Sequence, residues 1–197
     1  MTIVLASASQ VRRALLTAAG LDLVVDPAPV DEAALKASFA AEAAGPAETA
    51  EALAELKAGR ISPRHPGRLV IGADQILECE GRSFDKPADR AAARLQLQAL
   101  RGRRHSLYSA ALAMRDGRRL WHHVARADLT MRGFSDSFLD SYLDRLGPAA
   151  TASVGAYQLE GLGAQLFARI EGDYFTILGL PLLPLLEFLR GVGEIAP

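Results

Sequence analysis

The passage from a strand to a helix near the start of the chain constrains the fold more than any other sequence feature. Residues 2–5 are mostly apolar and β-branched, as in a buried strand. Ser9 is a favourable helix N-cap, and Gly20 is a typical helix end. Between them, apolar side chains recur at helical spacing, at Val11, Leu15, Leu16 and Ala19. The sequence therefore predicts a strand, a serine cap and a helix within residues 2–19.

Later segments predict a sheet with strands in both directions. Residues 69–71 form an apolar run typical of a buried strand, and residues 107–114 and 121–131 flank the turn Asp116-Gly117 as in a hairpin. Helices are predicted at residues 31–59 with an interruption near Gly45-Pro46, at 87–100, at 135–146 and from Pro181. This mixture predicts an α/β fold with a mixed central sheet and flanking helices. With 197 residues, we predict a single domain over residues 1–197, which can contain two small lobes.

Composition and charge exclude several classes of protein. The formal net charge of −1 provides no basic field for DNA or RNA. The single cysteine, Cys79, cannot form an internal disulfide, and no cluster of cysteine and histidine indicates zinc. The apolar run at residues 177–189 is too short and too interrupted by proline to span a bilayer. Since the sequence opens directly with a strand, we expect no signal peptide, no membrane partner and a cytoplasmic location.

Two arginines occupy the first turn of the opening helix, where the helix dipole disfavours cations by about 0.3–1 kcal/mol. Arg12 is in line with Leu15 and Leu16 and therefore points inward, whereas Arg13 lies on the wetter face. A phosphate at this helix N-terminus would satisfy Arg12, the free amides and the dipole together. A surface helix with an imperfect cap is the alternative, and this stretch alone leaves both open.

Carboxylates at two further places are candidates for catalysis or metal binding. Asp74 closes the short strand within I-G-A-D-Q, and such positions commonly lie in a ligand crevice, although a turn aspartate is an alternative. Asp31 suits the N-cap of the next helix, which leaves Glu32 available to face a cleft. Carboxylate oxygens near a phosphate suit Mg²⁺ or Mn²⁺, which take few protein ligands.

Two lysines are candidates for binding a phosphate. Lys57 lies on the apolar stripe of its helix, where a snorkelling surface lysine is the alternative. Lys86 precedes Pro87, which holds it extended next to a helix start. The sequence contains no G-x-x-x-x-G-K-[ST], G-x-G-x-x-G or G-x-S-x-G motif, so a P-loop, a dinucleotide fingerprint and an esterase elbow are excluded.

Several of these motifs together resemble one family. In order, they are L-A-S-A-S at residues 5–9 followed closely by arginines, D-E at 31–32, K-A at 57–58, I-G-A-D-Q at 71–75, K-P at 86–87, G-A-Y at 155–157, E-G at 160–161, I-E-G-D-Y at 170–174 and G-L-P at 179–181. Each motif alone is weak, but their order and spacing over nearly the whole chain resemble the Maf family of nucleoside triphosphate pyrophosphatases.

The resemblance implies a fold, an activity and a set of site residues. It implies a cleft between two lobes, an outline shared with inosine triphosphate pyrophosphatases, and hydrolysis of a nucleoside triphosphate to the monophosphate and pyrophosphate with a divalent metal, Mg²⁺ or Mn²⁺. The catalytic aspartate of the family falls on Asp74, and Glu32 falls on a metal-binding carboxylate. Its phosphate-binding residues fall on Ser7, Ser9, Arg12, Lys57 and Lys86. A homodimer is compatible with the resemblance, although no residue pattern requires one.

Three positions depart from the commonest family pattern and concern the choice of base. Gln75 stands where the branch acting on dTTP and UTP often has threonine, and Glu160 stands where that branch has glutamine. Both resemble the 7-methyl-GTP branch, in which a tryptophan that can stack on a base takes the place of Val11. We therefore predict closest similarity to the 7-methyl-GTP branch, with the preferred base left open.

Two rival functions remain at this point. Family members have been associated with cell-division arrest, so one rival is a nucleotide-binding regulator without turnover. The other is a phosphohydrolase acting on a substrate that is not a nucleotide. Asp74 together with Lys57 and Lys86 favours the nucleotide-hydrolysing enzyme.

Overall fold

The computed structural model describes residues 2–196, and its strands and helices alternate along most of the chain. The strands are β1 (Ile3–Leu5), β2 (Leu23–Val25), β3 (Val70–Cys79), β4 (Arg82–Phe84), β5 (Arg104–Arg115), β6 (Arg118–Met131) and β7 (Phe167–Glu171). The α-helices are α1 (Gln10–Ala18), α2 (Glu32–Ala41), α3 (Pro46–Ile61), α4 (Arg90–Leu100), α5 (Asp136–Leu146), α6 (Tyr174–Ile177) and α7 (Leu182–Gly191). Short 3₁₀ segments connect several of them.

The strands form one mixed sheet, as predicted from the sequence. Its order is β2-β1-β3-β5-β6-β7, with β4 paired to β3. The pairs β1–β2 and β1–β3 are parallel, whereas β3–β4 and β6–β7 are antiparallel. Asp116 and Gly117 both have positive φ, +50° and +74°, which is the requirement of a tight hairpin turn between β5 and β6. The predicted hairpin and fold class are thus confirmed.

Contacts between residues divide the chain into two compact units. The first comprises the chain up to Gln75, Tyr108–Ala125 and the chain from Tyr174 onward. Its core contains side chains of β1, β3, α1 and α7, among them Leu5, Leu16, Ile71, Leu185 and Leu189. Burial of each such side chain stabilises the fold by about 1.5–3 kcal/mol. The cleft implied by the family resemblance and the single-domain boundaries stay predictions.

The second unit comprises Ile76–Leu107 and Arg126–Asp173. Leu97 and Leu100 of α4 and Leu139 and Leu143 of α5 are buried there. Across residues 2–196, no helix is both long enough and apolar enough to cross a membrane.

Two boundaries next to candidate site residues differ from the sequence prediction. Asp74 does not lie at the end of a strand but inside β3, which runs from Val70 to Cys79. The helix predicted to open at Pro87 begins at Arg90, because the Asp89 carboxylate accepts a hydrogen bond from the Ala92 N–H at 2.7 Å and caps the helix there.

Candidate active site

The serine cap of α1 forms as the sequence predicts. The Ser9 Oγ accepts a hydrogen bond from the Arg12 N–H at 3.3 Å. The Ser7 Oγ accepts one from the Ser9 N–H at 3.3 Å, so the two serines together shape the turn from β1 into α1. The remaining N–H groups of the first turn have no partner within the helix, which makes this end a potential anion site. Val11 is half-buried beside them.

Arg12 points inward, as predicted, and Arg13 is exposed. The Arg12 guanidinium donates to the Gly179 carbonyl at 2.8 Å, the Ala73 carbonyl at 2.9 Å and the Ser7 Oγ at 3.1 Å. The hydrogen bonds to these three oxygens offset the unfavourable interaction between the Arg12 charge and the positive end of the α1 dipole. Burial lowers the pKa of Arg12, and the charges of Asp74 and Glu32 oppose that shift.

The bond to Ala73 has a simple origin in the sheet. In the parallel ladder, the N–H groups of Val4 and Ala6 donate to the carbonyls of Leu69 and Ile71. The next acceptor along β3 is the Ala73 carbonyl. No backbone N–H of the first strand reaches it, because the chain after Ala6 turns away from the sheet to form α1. The Arg12 Nη1 takes the place of the missing backbone donor. Arg12 therefore fixes α1 to the end of the ladder, whether or not it also contacts a ligand.

Close packing of α3 on β3 brings Lys57 to Asp74. A Cβ at Gly72 would lie 2.0 Å from the Ala54 carbonyl oxygen, so only glycine permits this approach. Lys57 follows Ala54 by about one helical turn. Asp74 follows Gly72 by two strand positions and so shares its face of the sheet. This role of Gly72 was not predicted from the sequence, although a glycine inside an otherwise apolar strand is a signal for it.

Lys57 bridges Asp74 and Glu32, the two carboxylates predicted from the sequence as site residues. Its Nζ lies 2.5 Å from the Asp74 Oδ1 and 2.6 Å from the Glu32 Oε1. Lys57 is 7% exposed and Asp74 is 4% exposed, so Lys57 is not a snorkelling surface residue. The second Asp74 oxygen, Oδ2, is buried and has no hydrogen-bond partner among residues 2–196.

Glu32 reaches this cluster from the start of α2. Asp31 caps that helix, since its Oδ1 accepts from the Ala34 N–H at 3.1 Å, and Glu32 is left free to turn toward Lys57. Burial acts to raise the pKa of Glu32, but the bond to Lys57 and the charges of Lys57, Lys36 and Arg12 lower it below its usual value. Glu32 is therefore ionised at neutral pH.

The donor set of the cluster fits a divalent cation with few protein ligands. Two carboxylates converge on one point, and the Asp74 Oδ2 is a buried acceptor that lacks a partner. Within the described part of the chain, no group of three or more histidine, cysteine, aspartate or glutamate side chains forms a fuller metal cage. A pair of carboxylates suits Mg²⁺ or Mn²⁺, which retain several waters.

Gln75 lies on the opposite face of β3 from Asp74. Its Nε2 donates to the Ser109 Oγ at 2.9 Å and to the carbonyls of Thr176 and Ile177, both at 3.1 Å. Ser109 in turn donates to the Thr176 carbonyl at 2.7 Å. The amide cannot flip, because that would place Oε1 against two carbonyl oxygens. Only the Oε1 acceptor of Gln75 is left for a ligand, a constraint that the sequence did not reveal.

The two remaining predicted site residues belong to the second unit. Lys86 is exposed in the loop between β4 and α4, and the following Pro87 is buried. Glu160 is exposed in the turn before the 3₁₀ segment Leu162–Leu166. The first unit thus brings together Ser7, Ser9, Arg12, Glu32, Lys57 and Asp74, while the roles of Lys86 and Glu160 stay predictions.

Comparison with known proteins places this arrangement in a family. The model of the family described as "Maf-like protein" matches residues 2–192. A nucleoside triphosphate pyrophosphatase of Paramagnetospirillum magneticum is 62% identical, with 98% of this chain and 100% of that protein covered. One of Granulibacter bethesdensis is 56% identical, with 96% of each covered. A 7-methyl-GTP pyrophosphatase of Mesorhizobium japonicum is 53% identical, with 98% of this chain and 97% of that protein covered. The chain therefore belongs to the Maf family, as its motifs predicted.

Proposed function

We propose that this protein is an enzyme that hydrolyses a nucleoside triphosphate to the nucleoside monophosphate and pyrophosphate. The observation that carries the proposal is the cluster of Lys57, Asp74 and Glu32, which includes a buried carboxylate oxygen without a partner. The names of the relatives support the same reaction. Such an enzyme would remove noncanonical or modified nucleotides from the nucleotide pool.

The triphosphate would bind at the N-terminus of α1. The free first-turn amides and the hydroxyls of Ser7 and Ser9 supply neutral donors there, and the helix dipole favours an anion. Arg12 lies beneath this turn and adds positive charge from its buried position. Lys57 and Lys86 would neutralise the charge that develops on the phosphates in the transition state.

Asp74 would orient the attacking water and accept its proton. The Asp74 Oδ2 is the suitable atom, because it is buried and no residue among 2–196 occupies it with a hydrogen bond. Water adds to the α-phosphorus, the bond between the α-phosphorus and the bridging oxygen breaks, and pyrophosphate leaves. A divalent cation held by Glu32 and Asp74 would lower the pKa of water and neutralise phosphate oxygens.

The preferred base is proposed from the positions that depart from the common pattern. The relative named 7-methyl-GTP pyrophosphatase supports a modified guanine nucleotide as substrate. Val11 at the helix start, the fixed Oε1 of Gln75 and the exposed Glu160 are the residues that we propose determine the preference.

A screen of pyrophosphate release tests the proposal. The purified protein is incubated with Mg²⁺ or Mn²⁺ and with standard and modified nucleoside triphosphates, including 7-methyl-GTP. We expect stoichiometric monophosphate and pyrophosphate from at least one nucleotide, and none without the metal. A parallel incubation with sugar phosphates is assayed for inorganic phosphate. Release of phosphate from these substrates, with no pyrophosphate from any nucleotide, would favour the phosphohydrolase that does not act on nucleotides. Binding of nucleotides without turnover would favour the regulator.

A further inference from the structure

The position of the Lys57 ammonium has a consequence for how the cation site becomes available. One nitrogen lies 2.5 Å from the Asp74 Oδ1 and 2.6 Å from the Glu32 Oε1. These are the oxygens of the two carboxylates that would hold the divalent ion. An ammonium and a divalent cation repel each other and cannot both occupy the point where the carboxylates converge.

The surroundings of the ammonium allow it to move, whereas those of Arg12 do not. Lys57 has a flexible four-carbon stem, and its ammonium pairs with two side chains, Asp74 and Glu32. Arg12 is held by two backbone carbonyls and a buried hydroxyl. Lys57, unlike Arg12, can therefore exchange partners.

We propose that Lys57 is an internal counter-ion that holds the place of the divalent cation until the substrate arrives. In the free protein, its ammonium neutralises Asp74 and Glu32. When the cation enters, Lys57 releases both carboxylates and transfers its charge to the phosphates. The competition between Lys57 and the cation is independent of the proposed function, and only the transfer to a triphosphate rests on it.

This exchange couples the two ligands thermodynamically. The cation alone binds weakly, because it must displace the Lys57 ammonium from its two carboxylates before a polyphosphate is present to pair with it. A polyphosphate provides that anion, so each ligand strengthens the binding of the other by the same factor. Removal of the Lys57 charge should therefore improve binding of the cation alone while it impairs turnover.

Binding of Mn²⁺ alone, measured by electron paramagnetic resonance without nucleotide, tests the proposal. We expect Lys57→Gln and Lys57→Met to bind Mn²⁺ at least tenfold more tightly than the unmodified protein. Glutamine retains a hydrogen-bond donor, so Lys57→Gln still provides the test if Lys57→Met does not fold. Lys36→Met is the matched control, because Lys36 lies 4.0 Å from Glu32 and its removal deletes a nearby charge without freeing Asp74.

Three outcomes would overturn the proposal. The first is a Lys57 variant that folds and binds Mn²⁺ no more tightly than the unmodified protein. The second is an equal gain in Lys36→Met, which would indicate a general charge effect. The third is a gain that persists in Lys57→Gln combined with Asp74→Asn, since the ion would then be bound elsewhere.

A second measurement uses the protein without any substitution. Acetylation of Lys57 by acetic anhydride, followed by mass spectrometry, should increase several-fold at saturating Mg²⁺, because the ammonium has left its carboxylates. Unchanged acetylation would contradict the exchange. Neither experiment uses turnover, so a protein that hydrolyses no nucleotide would refute the proposed function and leave this inference to be decided on its own.

Discussion

Gly72 and Ala54 are in such close contact that the carbonyl oxygen of Ala54 lies 2.0 Å from the position a Cβ on Gly72 would take. The contact joins α3 to the strand that bears Asp74. Ala58, one turn further along α3, has its Cβ 3.0 Å from the same point. This contact sets the distance between α3 and β3, and through it the distance between Lys57 and Asp74.

Gly72→Ala should force α3 away from β3 and separate the ion pair of Lys57 and Asp74. We expect a loss of about 3 kcal/mol in the free energy of unfolding, typical of overpacking against backbone, and a large loss of turnover. Urea denaturation and pyrophosphate release measure the two effects. Gly59→Ala in the same helix is the control, because nothing lies within 4 Å of its Cβ position and the helix should gain up to about 1 kcal/mol. Equal behaviour of the two variants would refute the argument.

Arg12→Ala should be far more harmful than Arg13→Ala. It leaves the carbonyls of Ala73 and Gly179 without their donor, and we expect a loss of about 3 kcal/mol in unfolding free energy. Arg13 is exposed, so its replacement should change stability by less than about 0.5 kcal/mol. Thermal or urea unfolding and nucleotide turnover should both be measured, and equal losses in the two variants would exclude a special inward role for Arg12.

Local features were predictable from the sequence, and contacts between distant segments were not. The Ser9 cap, the inward face of Arg12 and the Asp31 cap depend on residues four or fewer positions apart. Family resemblance assigned Lys57 and Asp74 to one site, but their pairing depends on the contact of Gly72 with Ala54 of α3. The glycine signals a close approach, but it does not identify the distant partner.

The start of α4 shows a different limit. Pro87 and Asp89 are both helix-start signals, and their order alone does not decide between them. The structure favours Asp89, whose side chain reaches the Ala92 N–H. The partners of the Gln75 amide were equally hidden, because they come from segments far along the chain.

Asp74→Asn should abolish turnover and leave a folded protein. The amide is nearly the same size as the carboxylate, but it cannot accept a proton from water and binds a cation poorly. We expect at least an approximately 100-fold fall in pyrophosphate release, typical of removing a general base. Circular dichroism checks the fold. Undiminished release from the folded variant would remove Asp74 from the mechanism.

Gln75→Glu should destabilise the protein and alter the choice of base. A carboxylate oxygen would replace Nε2 and face the carbonyls of Thr176 and Ile177, at a cost of about 2 kcal/mol for lost and repulsive contacts. Ser109→Ala removes one acceptor and should have a smaller effect. The ratio of kcat/KM for 7-methyl-GTP and UTP measures the preference. A ratio unchanged in both variants would show that this position does not affect the base.

Acid should destabilise the second unit through His105. This side chain is 2% exposed, and its Nε2 lies 2.9 Å from the Tyr157 hydroxyl. Burial lowers its pKa from 6.5 to about 4. Between these values the unfolded chain binds a proton that the folded chain does not, so stability is retained above pH about 6.5 and falls as the pH drops toward 4. The full loss is about 3 kcal/mol.

His105→Gln should remove this part of the pH dependence, because glutamine does not titrate. Tyr157→Phe is the matched control, since it deletes the hydroxyl partner but retains the buried imidazole, and it should keep the slope. Urea denaturation at several pH values from 7 to 4 measures the free energy of unfolding of each variant. If His105→Gln loses stability as steeply as the unmodified protein, another group governs the acid transition.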